Sequence, residues 1–191
     1  MFDPKAPLCI VDTETGGLQL RHPIIQIAAV VVLPSEDWRE IDTFNTKLTF
    51  DPAACEKEAL AVNHYTPEAW KGAVEPGEAI GALARLFERH RTKGMVSKAG
   101  KAYKVAVAAG YNAPFDSERV FKLARERNLF LPVSFHWLCV MQLAFWKGVN
   151  VTSFKLTEVA KVLGVDPAGA HDALVDVRLT AAVLRRLLEG A

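Results

Sequence analysis

The sequence lacks the cysteine patterns that mark two common classes of small protein. Its three cysteines, Cys9, Cys55 and Cys139, are odd in number, lie far apart and form no CxxC pair. This spacing argues against a disulfide framework and against a zinc ribbon. Cysteines used in this way are typical of a reducing compartment, so we expect a cytoplasmic protein. The sequence also contains no internal repeat and no low-complexity tract.

Long apolar runs and an excess of one charge are missing as well. The longest apolar stretch, residues 24–33, is too short to span a bilayer, and the N-terminus shows no signal-peptide pattern, so we expect no membrane partner. The 23 basic and 22 acidic residues give a net charge of +1. The chain as a whole is therefore not a polycation that would coat nucleic acid, and any site for a polyanion must be local.

The residues that are present predict an α/β protein. The chain has 191 residues, half of them apolar, which predicts a single domain spanning residues 1–191. Three apolar or alternating segments, residues 7–14, 24–33 and 40–50, predict an antiparallel meander of three strands. Helical patterns follow, with one more buried strand among them, "VAVAAG" at 105–110. This order fits a mixed sheet flanked by helices.

The helical segments begin and end at recognisable residues. Asn112 is a predicted N-cap, and Trp137 and Trp146 are expected to pack in the core. Residues 92–104, rich in glycine and lysine, predict an exposed loop. Residues 66–70 predict a further helix start. The helices are predicted over residues 51–63, 75–91, 112–128, 137–147, 155–164 and 172–190.

Two acids stand one residue apart at the end of the first predicted strand. Side chains at positions i and i+2 of a strand point to the same face, so Asp12 and Glu14 should project together. Two like charges held this close are costly unless a positive group lies between them. Taken alone, the pair is explained equally well as two solvated acids at a strand end.

Further acids occur in comparable places later in the chain. Asp116 lies in the first turn of the helix after the buried strand, where an acid is often only a favourable partner of the helix dipole. His171 precedes Asp176 by five residues, which on a continuous helix would separate their side chains by about 140°. We therefore expect His171 on the loop before the helix, with Asp172 as N-cap. A lone histidine there is usually a capping or surface residue.

Together the three motifs match one family in residue type, spacing and order. They are "DTE" at 12–14, "NAPFD" at 112–116 and "HDALVD" at 171–176. The sequence resembles the DEDDh family of 3′ to 5′ exonucleases, within the ribonuclease-H-like superfamily, over nearly its whole length. The resemblance implies a ribonuclease-H-like sheet and hydrolysis of phosphodiester bonds at the 3′ end of nucleic acid. It also implies two divalent cations, Mg²⁺ or Mn²⁺, as cofactors.

The resemblance assigns roles to individual residues. Asp12 would bridge both metal ions, and His171 would be the general base. A sister group carries a tyrosine four residues before the last aspartate. Here that position is Asp172, so the histidine variant is implied. The implied metal ligands are Asp12, Glu14, Asp116 and Asp176.

The resemblance also points to residues that would contact the substrate. The backbone of Thr15 and Gly16 would receive the terminal nucleotide. Phe115 would pack beside a base or fill the core, with the core favoured. Asn63 and His64 match a segment that in the family wedges against the terminal bases, although the commoner form there is His-Gly.

The polymer and the partners stay open at this point. DNA with single-stranded or frayed 3′ ends is favoured over RNA or short oligoribonucleotides. A catalytically silent module that binds nucleic acid or a polymerase is the third alternative. A polymerase or a replication and repair assembly is a candidate partner, and family members are often homodimers. Residues 85–104 hold seven basic residues against one acid, Glu88, and would either follow phosphates toward the site or form a solvated helix end and loop.

Overall fold

The computed structural model describes residues 3–170 and 172–190. Its strands are β1 (Leu8–Thr15), β2 (Ile24–Leu33), β3 (Arg39–Lys47), β4 (Lys93–Val96), β5 (Ala102–Val105), β6 (Val107–Gly110) and β7 (Leu138–Cys139). Its helices are α1 (Lys57–Val62), α2 (Pro76–Arg89), α3 (Ala113–Glu126), α4 (Val140–Trp146), α5 (Leu156–Val162) and α6 (Ala173–Glu189).

A mixed sheet of five strands, in the order β3-β2-β1-β6-β7, lies at the centre. β1 pairs with β2, and β2 with β3, in antiparallel register. β6 pairs with β1, and β7 with β6, in parallel register. β2 lies between two strands and is buried on both faces, which explains its almost continuous apolar sequence. The predicted meander and the predicted α/β class, with parallel strands added to the meander, are confirmed.

The alternation of side chains along β1 divides the core into two layers. Cys9 and Val11 point to the face that α2 and α3 cover, where Leu83 and Phe87 pack. Leu8 and Ile10 point to the opposite face, which α4, α5 and α6 cover. The same alternation decides which layer each polar residue at the end of β1 meets.

Helices α2, α3, α5 and α6 agree with the predicted segments, and the burial of individual residues can be compared with expectation. Asn112 occupies the N-cap position of α3, but its side chain makes no capping hydrogen bond. Trp137 packs against the rings of Phe87 and Phe121, whereas Trp146 is 83% exposed, so the expectation that it fills the core is wrong. Among the residues described, none of the helices combines the length and the hydropathy that a bilayer crossing needs.

Residues 92–104, predicted as a loop, form an antiparallel hairpin of β4 and β5 instead. Gly100, with φ at +77°, lies in the turn, and the Ser97 N–H donates to the Lys101 carbonyl at 2.9 Å. Most of the hairpin is exposed on both faces. It therefore lacks the apolar alternation from which a strand is predicted.

The predicted helix over residues 51–63 is interrupted. A short 3₁₀ turn at Pro52–Ala54 is separated from α1 by Cys55 and Glu56, which are extended. The Glu56 N–H donates to the Gly16 carbonyl at 2.7 Å, so the break is set by a contact with the segment after β1. Residues 66–70 form turns rather than a helix start, and the two residues of β7 precede α4.

Candidate metal centre

Three carboxylates meet where β1 ends. Asp12 and Glu14 continue the alternation of Leu8 and Ile10, so they point to the layer that contains α6. α6 carries Asp176 in its first turn. One carboxylate oxygen from each of the three acids lies within 4.8 Å of the others. The structure thus brings together the two acids of the first motif and the last acid of the third.

Asp172 fixes the start of α6. Its side chain accepts hydrogen bonds from the backbone N–H groups of Leu174 at 3.0 Å and Val175 at 3.3 Å, which confirms the predicted N-cap. Gln26 of β2 donates to the same carboxylate at 3.4 Å. The cap therefore ties the first turn of α6, and with it Asp176, to the sheet.

Asp116 reaches the site from the other layer. It is buried in the first turn of α3. Thr13, between Asp12 and Glu14, points toward α3 and donates to Asp116 Oδ1 from its backbone N–H at 3.0 Å and from its hydroxyl at 2.7 Å. The alternation of β1 thus points Asp12 and Glu14 to the layer of α6, and it points Thr13 to the layer of α3, where Thr13 binds Asp116.

The four acids line one open pocket of about 190 Å³. This is smaller than the roughly 300–1,000 Å³ of pockets that enclose a drug-sized ligand. The pocket therefore suits a small charged group, such as a phosphate with its counterions, better than a whole nucleotide. Its walls are Asp12, Thr13, Glu14, Tyr111, Asn112, Phe115, Asp116, Leu156 and Asp176.

Burial and repulsion raise the pKa values of these acids. Burial, followed by the charges of Asp176 and Asp116, raises the pKa of Glu14 from 4.5 to about 7. The pKa of Asp12 is raised well above its ordinary value, first by burial and then by the charges of Asp116, Glu14 and Asp176. Burial raises the pKa of Asp116 to about 7, although hydrogen bonds from Thr13 oppose this shift.

The acids fit hard divalent cations as ligands. Mg²⁺ and Mn²⁺ prefer carboxylate oxygens, and the oxygens of Asp12, Glu14 and Asp176 are close enough to share an ion. Every neighbouring charge that shifts the pKa of Asp12 is negative. A cation in this pocket would relieve the repulsion, so binding and the fully ionised state of the cluster favour each other.

Without metal, the free energy of unfolding is expected to fall as the pH rises from about 4 to about 7. In the unfolded chain these acids titrate near 4, whereas Glu14 and Asp116 in the folded chain hold their protons up to about 7. The unfolded state thus releases protons first, and stability is lost across this range and then levels off.

Urea unfolding at a series of pH values, with a chelator present, measures this dependence. Excess Mg²⁺ above pH 7 should restore stability, because the cation binds only the folded cluster. A metal-free stability that rises between pH about 4.5 and about 7 would contradict the arrangement.

The segment after β1 is held by contacts from residues 55 to 63. The pairing of β1 with β2 shifts register between Glu14 and Thr15. Buried Asn63 donates from its side-chain nitrogen to the Thr15 carbonyl at 3.1 Å. A Cβ on Gly16 would lie 2.3 Å from Cys55 Sγ, so packing against Cys55 already explains why glycine stands here. His64 is exposed.

Phe115 lies at the pocket wall rather than wholly in the core. It is half-buried and lines the pocket. The guanidinium of Arg119 lies 3.4 Å from the centre of its ring. Arg119 is buried and donates to the backbone carbonyls of Phe115 and Leu18, which joins α3 to the segment after β1. Sequence reasoning missed Arg119, because Leu18 is distant in the chain.

The comparison with protein families decides where the chain belongs. The model of the RNase T exonuclease family matches residues 9–184, which is most of the chain. The chain belongs to this exonuclease family. The comparison with curated proteins gives no match.

Solved exonucleases share the fold of this family member. Exonuclease I aligns over 97% of the chain with 19% identity and a TM-score of 0.74. The nuclease domain of 3′hExo, a DEDDh family member bound to rAMP, aligns over 97% of the chain and 92% of its own length with 17% identity and a TM-score of 0.73. The chain spans 41% of the length of exonuclease I. These matches confirm the ribonuclease-H-like fold and the resemblance to DEDDh exonucleases.

A structure with nucleic acid is among these matches. E. coli exonuclease I in complex with a dT13 oligonucleotide aligns over 94% of the chain and 40% of its own length, with 19% identity and a TM-score of 0.70.

The basic stretch of this family member lies away from its acidic pocket. β5 leads into the start of β6, whereas the pocket lies beyond the ends of β1 and β6. The hairpin therefore extends from the opposite end of the strands, where β6 begins. Arg89 forms an ion pair with Asp42, and Arg91 with Glu88. This placement does not support the interpretation that residues 85–104 lead phosphates directly into the pocket.

The predicted general base, His171, lies outside the described residues. Its role therefore stays a prediction. The neighbouring residue on its C-terminal side, Asp172, is placed as expected at the N-cap of α6.

Proposed function

We propose that this exonuclease is a metal-dependent enzyme that removes nucleotides from the 3′ ends of single-stranded or frayed DNA. The observation that supports it is the approach of Asp12, Glu14 and Asp176 within 4.8 Å, in the pocket that Asp116 also lines. Carboxylates gathered in this way destabilise the fold unless they hold cations, so the cluster is explained by metal binding.

In this proposal the four acids hold two divalent cations, Mg²⁺ or Mn²⁺. When bound, the cations supply Lewis acidity at the scissile phosphate and lower the pKa of the attacking water. Asp12, whose carboxylate lies close to those of Glu14 and Asp176 in the pocket that Asp116 also lines, would be the ligand shared by both ions. His171 accepts the proton of the attacking water, since an imidazole gains and loses a proton near neutral pH.

The chain's own residues would also hold the end of the substrate. The backbone of Thr15 and Gly16 would contact the terminal nucleotide, and the hydrogen bond from Asn63 to the Thr15 carbonyl fixes the position of this backbone. Phe115, steadied by Arg119, offers an aromatic face at the pocket wall. His64 is exposed beside Asn63 and is assigned the outer contact with the terminal bases.

Hydrolysis of RNA by the same chemistry is the second candidate function. The nuclease domain of 3′hExo is bound to rAMP, and a 3′-exonuclease recognises a histone mRNA stem-loop. E. coli exonuclease I is in complex with dT13, and exonuclease I also forms a complex with SSB-Ct. These neighbours support nucleic acid as the partner. Two further partners, a replication or repair assembly and a second copy of the chain in a homodimer, stay proposals.

A digestion panel with Mg²⁺ tests the function. The substrates are single-stranded DNA, a DNA duplex with a 3′ mismatch, single-stranded RNA and a dinucleotide, each labelled at its 5′ end. We expect ladders of shortened labelled products, with both DNA polymers degraded faster than RNA, and no products when a chelator is added. Faster cleavage of RNA would favour the second candidate. The absence of products in every lane would contradict both and favour a module that only binds.

A further inference from the structure

We propose that a surface beside the acidic pocket binds the single strand that leads away from the cleaved end. This surface consists of Phe145, Trp146 and Phe154, with Lys147 and Lys155 next to them, and we call it the Trp146 surface. The proposal deepens the proposed function and rests on it, because it assigns a second contact to the same substrate.

Two aromatic side chains of the Trp146 surface are exposed, and the third, Phe154, is half-buried. Val140 and Ala144 bury one side of α4 against the core, while Phe145 is 65% exposed and Trp146 is 83% exposed. The rings of Phe145 and Phe154 meet edge to face with their centres 5.7 Å apart. Large apolar side chains gathered in one exposed patch mark a contact site more often than chance placement does.

The Trp146 surface is joined to the acidic pocket through Phe154. The Tyr111 hydroxyl donates to the carbonyl oxygen of Phe154 at 2.7 Å. Tyr111 and Leu156 both line the pocket. The chain segment that carries the surface is therefore attached directly to the pocket wall, and a strand whose 3′ end lies in the pocket would meet it next.

The charge around the Trp146 surface suits a polyanion. Between Val140 and Thr157 the chain carries two lysines and no acidic residue. Lys147 and Lys155 are both exposed. Aromatic rings that stack on bases, interleaved with lysines that attract phosphates, are the combination that single-stranded nucleic acid requires. The basic hairpin, in contrast, leads into the N-terminal end of β6, at the opposite end of the strands from the pocket.

Substrate length provides the test, because a dinucleotide offers its one phosphodiester to the pocket and has no further strand to contact the Trp146 surface. Trp146→Ala should lower kcat/KM about five- to a hundredfold on an oligonucleotide of about twelve nucleotides, the range for losing one base stack. The same variant should hydrolyse a dinucleotide at the wild-type rate. Fluorescence anisotropy with the oligonucleotide and a chelator should show a matching loss of affinity.

Two further variants sharpen the test. Phe130 is 68% exposed and lies beyond the C-terminal end of α3, so it serves as a matched control. Phe130→Ala should leave kcat/KM unchanged on both the oligonucleotide and the dinucleotide. Replacing Lys147 and Lys155 together by glutamine should reduce the slope of log affinity against log salt by about 0.7 for each phosphate that the variant no longer neutralises.

Other outcomes overturn the proposal. Equal losses on both substrates would place the effect in the pocket, and no loss on either would mean that the surface is unused. A wild-type dimer that Trp146→Ala converts to a monomer would assign the surface to a second copy of this chain. If the wild-type protein cleaves neither substrate, the proposed function fails, and the anisotropy measurement alone decides whether Trp146 binds the strand.

Discussion

Asp12→Asn is expected to abolish hydrolysis and, in the absence of metal, to make the protein more stable. The amide is a poor metal ligand, so activity should fall by more than about a thousandfold, the scale of losing an essential catalytic group. The substitution also removes a charge that is disfavoured by burial and by Asp116, Glu14 and Asp176. Each kcal/mol of repulsion that is relieved would raise the Tm by about 2–4 °C for a chain of this size.

Thermal unfolding with a chelator, together with the digestion assay, measures both effects. Asp42→Asn is the control, for which the expected change in Tm has the opposite sign. Burial acts to raise the pKa of Asp42, but hydrogen bonds from His90 and Arg89 more than offset it and lower the pKa. Removing that carboxylate should lower the Tm and leave hydrolysis intact. Full activity of Asp12→Asn with Mg²⁺ would overturn the assignment of the metal centre.

His171→Ala is expected to lose the general base while the protein keeps its metals. General base catalysis typically contributes about 10²- to 10⁴-fold, so kcat should fall by that factor. The four carboxylates remain, and isothermal titration should therefore detect Mn²⁺ binding of unchanged affinity. At saturating Mg²⁺, which keeps the four carboxylates ionised, the acid limb of the pH profile, expected near the imidazole pKa of about 6.5, should disappear in the variant.

His136→Ala is the matched control for the loss of an imidazole. His136 is exposed and lines a cavity with Leu8 and Val107, which begin β1 and β6 at the opposite end of the strands from the acids. Its removal should leave kcat, Mn²⁺ binding and the pH profile unchanged. Wild-type activity of His171→Ala over the whole pH profile would assign the proton transfer to another group.

How far the fold follows from the sequence depends on burial. β2 occupies residues 24–33, as predicted, because both of its faces are covered and its apolar run ends where the burial ends. The hairpin of β4 and β5 gave no such signal, since its strands pair with each other outside the core and stay mostly exposed. Local pattern therefore predicts the longer strands of the central sheet and misses the exposed hairpin and the two-residue strand β7.

The site shows the same division between local and distant causes. The shared face of Asp12 and Glu14 follows from the two-residue period of a strand, and the N-cap at Asp172 follows from capping chemistry. The hold of Thr13 on Asp116 depends on how α3 packs on the sheet. The bond from Arg119 to Leu18 depends on the path of the chain after β1. These tertiary contacts have no signature in the spacing of residues.

The alternation of β1 also restricts how the length of this chain can change. One residue inserted between Asp12 and Glu14 would turn Glu14 toward the layer of α2 and α3, away from Asp176. A residue inserted at Gly100 would lengthen the turn of a hairpin that lies at the other end of the strands, before β6 begins. Insertions and deletions are therefore excluded within the motif at the end of β1 and tolerated in the hairpin, where length can vary without moving a metal ligand.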